Sequence, residues 1–225
     1  PKRVFRTDGE KQNRRASAMF WEERNRFFSD IWTDVKGTSQ ALANSEFRKR
    51  SAAFPLKVAY RLVTMYSVRG DLVLDPFWGT GTTSVAAMAA ARNSIGLEID
   101  ANMESHLDVC TQSLCDRLNR YIEGRLARHI AFVDERMAVN APLKHRNTVY
   151  GFPVVTAQEK ELIFNPLIRL KRSSRSEVDV DYEAVPQEAF CKNWETILPR
   201  KDPGHPAQAA PAKRLQAGPS QMKLF

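Results

Sequence analysis

The residues Gly70-Asp71-Leu72-Val73-Leu74-Asp75-Pro76-Phe77-Trp78-Gly79-Thr80-Gly81-Thr82-Thr83 decide how this chain folds. Leu72, Val73 and Leu74 form a short apolar run between Gly70 and Pro76, the pattern of a buried central strand in a parallel sheet. Gly79 and Gly81 allow the backbone to turn tightly and to approach a ligand closely. Thr82 and Thr83 then open an alanine-rich helix, Val85 to Ala91, whose N-terminal amides point back toward the end of the strand.

A second strand is expected over Ser94-Ile95-Gly96-Leu97-Glu98-Ile99-Asp100. Glu98 falls about 20 residues past the glycine turn, where nucleotide-binding βαβ units place the carboxylate that accepts from ribose hydroxyls. The third glycine of the dinucleotide fingerprint is absent, which argues against a nicotinamide cofactor.

Asp75 to Thr83 (DPFWGTGTT) followed by Arg92 to Asp100 (RNSIGLEID) resembles the S-adenosylmethionine (SAM) site of DNA amino-methyltransferases, the N-4/N-6 DNA methylase family. The match is to the permuted group, which carries this site in its C-terminal half. Upstream, Ala52-Ala53-Phe54-Pro55-Leu56-Lys57-Val58-Ala59-Tyr60-Arg61-Leu62-Val63 is similar to the F-P helix of the same family. The resemblance covers about residues 50 to 100. It implies an α/β, Rossmann-like methyltransferase fold, present in part, with a parallel sheet flanked by helices. It also implies SAM as cofactor and a SAM-dependent transfer of methyl to the exocyclic amine of cytosine or adenine in double-stranded DNA. By the same resemblance Asp75, Phe77, Gly79, Gly81 and Thr82, with Thr83 beside them, line the methionine side, and Phe54 and Pro55 add backbone contacts. Glu98 accepts from both ribose hydroxyls and Ile99 packs on the adenine. Simpler readings stand beside these: Asp75 as a turn-capping carboxylate and Glu98 as a surface acid at a strand end.

Such enzymes also need an Asp/Asn/Ser-Pro-Pro-aromatic motif, whose polar group holds the amine of a flipped base while its aromatic ring stacks on it. This chain has none: Asp75-Pro76-Phe77-Trp78 lacks the second proline, and Asn140-Ala141-Pro142 and Asn165-Pro166-Leu167 lack the aromatic. No catalytic residue is therefore assigned. The expectation is the SAM-binding C-terminal part of a methyltransferase or the SAM half of a split one, inactive alone. The catalytic motif would come from a second chain or a missing N-terminal segment. Two alternatives stay open: an inactive subunit that binds SAM and DNA, and a methyltransferase acting on RNA or a small molecule.

With 225 residues, 43% apolar and 27% charged, the composition is that of a globular protein able to bury a core. A formal charge of +8 suits a polyanionic partner. The three cysteines, Cys110, Cys115 and Cys191, form no C-x-x-C pair, and with four scattered histidines no metal site is expected. The absence of a signal peptide or long apolar span indicates a cytoplasmic protein without a membrane segment.

Residues 1–50 hold 12 Lys and Arg against 7 Asp and Glu, with Phe5, Phe20, Trp21, Phe27, Phe28 and Trp32 between the cationic clusters. Cations interleaved with aromatics suit a phosphate-bearing partner, and the segment is expected to be a DNA-contacting connector. The competing reading anchors the aromatics in the core. Within it, residues 17–28 suit a helix with Glu22 and Glu23 facing Arg26, residues 29–34 an irregular connector, and residues 38–50 a loop. Residues 51–137 form the SAM-binding half. There the F-P helix carries a core stripe of Val58, Leu62 and Met65, with Ala59 and Val63 alongside. Its last part is a long amphipathic helix, Ala101 to Met137, with Arg117, Arg120, Arg125, Arg128 and Arg136 on the polar side and a break near Gly124. Residues 138–198 form a small appendage with strands over 150–156, 161–164 and 178–182. Residues 199–225, rich in proline and alanine, form a disordered tail. Its last residues, Gln221-Met222-Lys223-Leu224-Phe225, are similar to the peptides that grip the bacterial sliding clamp, through Gln221, Leu224 and Phe225.

Overall fold

A computed structural model describes residues 3–35, 54–101, 112–139, 141, 143–174, 176–197 and 220–224. The chain divides into two compact units. One comprises residues 26–115, 168–181 and 221–225 and contains the glycine turn; the other comprises residues 1–25, 116–167 and 182–220.

In the first unit, helix α3 (Leu56–Tyr66) starts behind Pro55, whose extended backbone makes it the N-terminal boundary residue. Proline suits that place because its missing N–H would have no helical partner there. Strand β1 (Leu72–Asp75), helix α4 (Thr82–Ala89) and strand β2 (Asn93–Gly96) follow as a βαβ unit. β1 and β2 are parallel, with Leu72 opposite Asn93 and Asp75 opposite Gly96. The sheet runs β1-β2-β7-β6-β5, where β5 is Leu167–Arg172, β6 Val178–Tyr182 and β7 Ser220–Leu224. β7 pairs in parallel with β2, so these five residues form a strand within the segment expected to be a disordered tail.

Two expectations for this unit need correction. β1 is a parallel strand but not a central, buried one: among the described residues it ends the sheet, with Leu72 57% and Leu74 62% exposed. On α3 the buried residues are Ala59, Tyr60, Arg61, Val63 and Thr64, while Leu62 is 45% exposed. The face that packs against α4, itself buried from Ser84 to Ala89, is rotated from the expected stripe.

Arg61 is fully buried on α3, its guanidinium lying 5.0 Å from the ring centroids of both Phe27 and Trp32. It forms a short ion pair with Asp34, which also meets Lys57 at 2.6 Å. The Arg61 hydrogen bond, aided by Lys57 and opposed by partial desolvation, holds the Asp34 carboxyl well below the usual carboxylate range. The irregular connector of residues 29–34 is thereby tied to the F-P helix.

The second unit starts with helix α1 (Asp8–Ala16), opened by a capping box in which Thr7 and Glu10 exchange hydrogen bonds. The helix expected over residues 17–28 is the shorter α2 (Trp21–Phe27). Helix α5 (Gln112–Ala138) runs unbroken through Gly124 and buries Leu118, Ile122, Leu126, Ile130 and Val133. The core gathers Phe20, Leu126, Ile130, Tyr150, Phe152, Val154, Leu162 and Phe190. A two-residue pairing of β3 (His145–Arg146) with β4 (Pro153–Val154) and helix α6 (Glu188–Ile197) complete it. Residues 161–164 form no strand, and only Pro153–Val154 of the stretch 150–156 does.

The charges of this unit also depart from expectation. Glu22 and Glu23, expected to face Arg26, take partners on α5. Glu23 accepts from Arg125 Nε at 2.7 Å, and Glu22 lies 2.9 Å from His129 Nδ1. Burial works to raise the Glu23 pKa, but the Arg125 guanidinium outweighs it and holds the carboxyl below its ordinary value. Arg125 is therefore buried rather than riding on a polar face, whereas Arg117, Arg120 and Arg128 are exposed. Phe20, wholly buried, stacks on His129 with centroids 3.9 Å apart.

Candidate cofactor site

The site begins where β1 ends. The backbone carbonyl of Asp75 accepts from Leu97 N–H at 2.9 Å, which extends the parallel pairing beyond β2. Asp75 Oδ1 accepts from Phe77 N–H at 3.1 Å, turning the chain out of the strand. Trp78 N–H then donates to Leu97 O at 2.9 Å, and Gly81 N–H to Trp78 O at 2.8 Å. Gly79 at φ 52° and Gly81 at φ 71° take the left-handed conformation on which this turn depends. Gly81 also bounds α4 on its N-terminal side, with no side chain capping the helix. The first-turn amides therefore face the turn rather than a capping oxygen.

The indole of Trp78 fixes the turn from below. A Cβ built on Gly96 would stand 2.3 Å from its Cδ1, so the absence of a side chain at Gly96 makes room for the ring. Trp78 Nε1–H donates to Ser84 Oγ at 2.9 Å, and Ser84 meets buried Ser94 at 3.0 Å. Turn, helix and second strand are joined through these three side chains. Sequence reading passed over Trp78; its place inside the glycine turn, opposite a strand glycine, was the available signal.

Glu98 closes the far side. Its Oε2 accepts from Gly79 N–H at 2.7 Å and its Oε1 from Asp100 N–H at 3.0 Å. A carboxylate has about four acceptor positions, so this one is fixed by two bonds and keeps two free for a vicinal diol. Phe77 is 87% exposed and Ile99 fully exposed. The structure brings Asp75, Phe77, Gly79, Gly81, Thr82, Thr83 and Glu98 around one turn. Phe54 and Pro55 stand at the start of α3 in the same unit. Two carboxylates, exposed apolar surface and free amides suit a ligand with hydroxyl and ammonium donors, a flat apolar ring and a carboxylate. Among the described residues, no group of His, Cys, Asp and Glu could hold a metal ion.

The DNA methylase family model matches residues 2–107, a span that includes this whole turn. Over those residues the chain is similar to the N6/N4 DNA methylase family. It is 42% identical over 183 residues to the Type II methyltransferase M.MthZI of Methanothermobacter thermautotrophicus, covering 81% of this chain and 50% of that one. It is 48% identical over 91 residues to the Type II methyltransferase M.MjaI of Methanocaldococcus jannaschii, covering 40% of this chain and 29% of that one. The crystal structure of a putative DNA modification methylase from Thermus thermophilus, complexed with S-adenosyl-L-methionine, is 35% identical, covers 49% of this chain and 37% of that chain, and aligns with a TM-score of 0.36. The chain thus spans half the length of M.MthZI and less of the others.

Proposed function

We propose that this chain is the cofactor-binding part of a SAM-dependent DNA amino-methyltransferase of the permuted order. The observation that supports it best is Glu98, anchored on Gly79 N–H with acceptor capacity left over, beside a turn with uncapped helix amides. SAM carries the reactive methyl group and supplies the chemistry; the protein positions it. Glu98 would accept from both ribose hydroxyls, and Ile99 would lie against the adenine. Asp75, with Phe77, Gly79, Gly81, Thr82 and Thr83, would take the methionine end, with Phe54 and Pro55 adding backbone contacts.

The substrate would be the exocyclic amine of cytosine or adenine in double-stranded DNA. The Pro-Pro-aromatic motif would come from a second chain or segment, since none is present here, and this chain alone would transfer no methyl group. An inactive SAM/DNA-binding subunit and an RNA or small-molecule methyltransferase are the competing readings. The relatives' membership of restriction-modification systems and a cytoplasmic location belong to the proposal too. Among the described residues no helix is long and apolar enough to cross a membrane. A sliding-clamp contact through Gln221, Leu224 and Phe225 remains part of the reading. It would require β7 to leave the sheet, and Phe225 lies outside the described residues.

Thermal unfolding tests the cofactor assignment. SAM at 100 times its Kd should stabilise the protein by about 2.7 kcal/mol, and NAD should not. Stabilisation by NAD, or by neither, contradicts the reading.

A further inference from the structure

The second unit carries a cationic face that the cofactor turn does not use. Around α5, at about 100° per residue, Leu118, Ile122, Leu126 and Val133 point into the core, and Arg117, Arg120, Gly124 and Arg128 fall on the opposite side. Arg117, Arg120 and Arg128 are exposed. A Cβ built on Gly124 would stand 3.3 Å from Arg128 Nη1, so this guanidinium lies back along the helix over Gly124, toward Arg120. Phe132 and Arg136 extend the line one and two turns beyond Arg128, on the side of α2. There Trp21, 37% exposed, meets Phe132 with ring centroids 6.0 Å apart, and the Arg136 guanidinium lies 5.9 Å from the Phe132 centroid. Arg136 Nε is buried and has no hydrogen-bond partner among the described residues. Glu135 is the one exposed carboxylate of α5 in the same sector; Glu123, beside Arg120, is half-buried, and Glu23 is buried on Arg125. Arg117, Arg120, Arg128 and Arg136 thus share one side of a helix with a single exposed acid. Like charges at such spacings repel, and a multivalent anion relieves that repulsion.

We propose that this face of α5, with Trp21 of α2 at its edge, is a docking surface for the phosphodiester backbone of duplex DNA. Charge complementarity argues for this occupant. A duplex carries one negative charge per about 1.7 Å of its axis, and Arg117 to Arg136 spans about 28 Å of helix, a length of about eight base pairs. Guanidinium forks match phosphate oxygens and stay charged at every working pH. Trp21 and Phe132 add apolar surface between the cations for the sugars to pack on. Such contacts hold a duplex in place without reading its bases. Residues 1–50 were expected to contact DNA; Trp21 belongs to that segment, but the cations aligned with it come from α5, about 100 residues later in the chain. That the polyanion is DNA rests on the proposed function; the cationic line does not.

Binding of a fluorescent DNA duplex to the full chain, followed by anisotropy across a salt series, tests the proposal. The unaltered chain should bind. Arg120→Gln combined with Arg128→Gln should weaken binding about tenfold near about 0.1 M salt. It should also lower the slope of log K against log salt by about 1.8, two phosphate contacts at about 0.9 each. Both positions are exposed, so the urea midpoint and the SAM affinity should stay unchanged. Arg169→Gln combined with Lys171→Gln removes the same charge from exposed positions on β5 and should leave duplex affinity within about twofold. Failure of the unaltered chain to bind duplex overturns the proposal. So does an Arg120, Arg128 variant no weaker than the β5 variant, or a chain that binds single-stranded DNA in preference to duplex. SAM binding without DNA binding would overturn the docking surface and spare the cofactor reading; the expected DNA behaviour in a chain that binds no SAM would do the reverse.

Discussion

Gly96→Ala should be far more damaging than an alanine in a β-strand ordinarily is. The added Cβ would lie 2.3 Å from Trp78 Cδ1, 2.4 Å from Cγ and 2.8 Å from Nε1, all well inside contact distance. The ring cannot yield by a few tenths of an ångström; the indole must leave. Leaving breaks the Nε1–H bond to Ser84 Oγ, now 2.9 Å long. That bond is worth about 1 kcal/mol, and overpacking adds about 1–3 kcal/mol. The variant should therefore lose about 2–4 kcal/mol in urea unfolding followed by circular dichroism. The double-mutant cycle is decisive. In a Trp78→Ala background the clash is gone, and Gly96→Ala should cost less than about 1 kcal/mol. An equal cost in both backgrounds, or a neutral Gly96→Ala, would refute the claim that Trp78 occupies the space above Gly96.

Glu23→Gln removes the charge that neutralises buried Arg125 and should cost about 3–5 kcal/mol, measured by denaturant unfolding. A Glu23→Leu, Arg125→Met pair should recover most of that loss, because no lone charge stays buried. Stability should also fall in acid through Asp34 and Glu23. Both carboxyls titrate below their ordinary values in the folded chain. Each therefore contributes fully above the unfolded pKa of about 4 and loses its contribution as pH falls through the lower folded value. Asp34→Asn should flatten that part of the stability–pH curve, and an unchanged acid slope would contradict the Asp34–Arg61 pairing.

How much of this was legible in sequence depended on how local each interaction is. The βαβ unit and the start of the F-P helix were readable because Gly79, Gly81, Pro55 and the Leu-Val-Leu run act through neighbours in the chain. Helix α1 was missed although Thr7-x-x-Glu10 is a capping-box signature. Arg125 and Glu22–Glu23 were misassigned because their partners lie more than 100 residues away in the chain, the Arg125–Glu23 separation being 102. Helical spacing offered nearer candidates in Arg26 and a solvated face, and periodicity could not choose between them. The exposure of Leu72 and Leu74 was hidden for a different reason. An apolar triplet marks a strand meant to be covered, but does not tell whether the covering element is in the same chain. The same applies to α3, where Val58, Leu62 and Met65 are as periodic as the face that is buried.

The central claim is that the turn between β1 and α4, closed by Glu98, holds SAM by its ribose. Isothermal titration of SAM into the wild-type chain and into Glu98→Ala tests it most directly. The account predicts measurable binding to the first and a loss of about 1–3 kcal/mol in the second, from ribose hydroxyls left without an acceptor. Equal affinity of the two proteins, or no binding to the wild type, would contradict it.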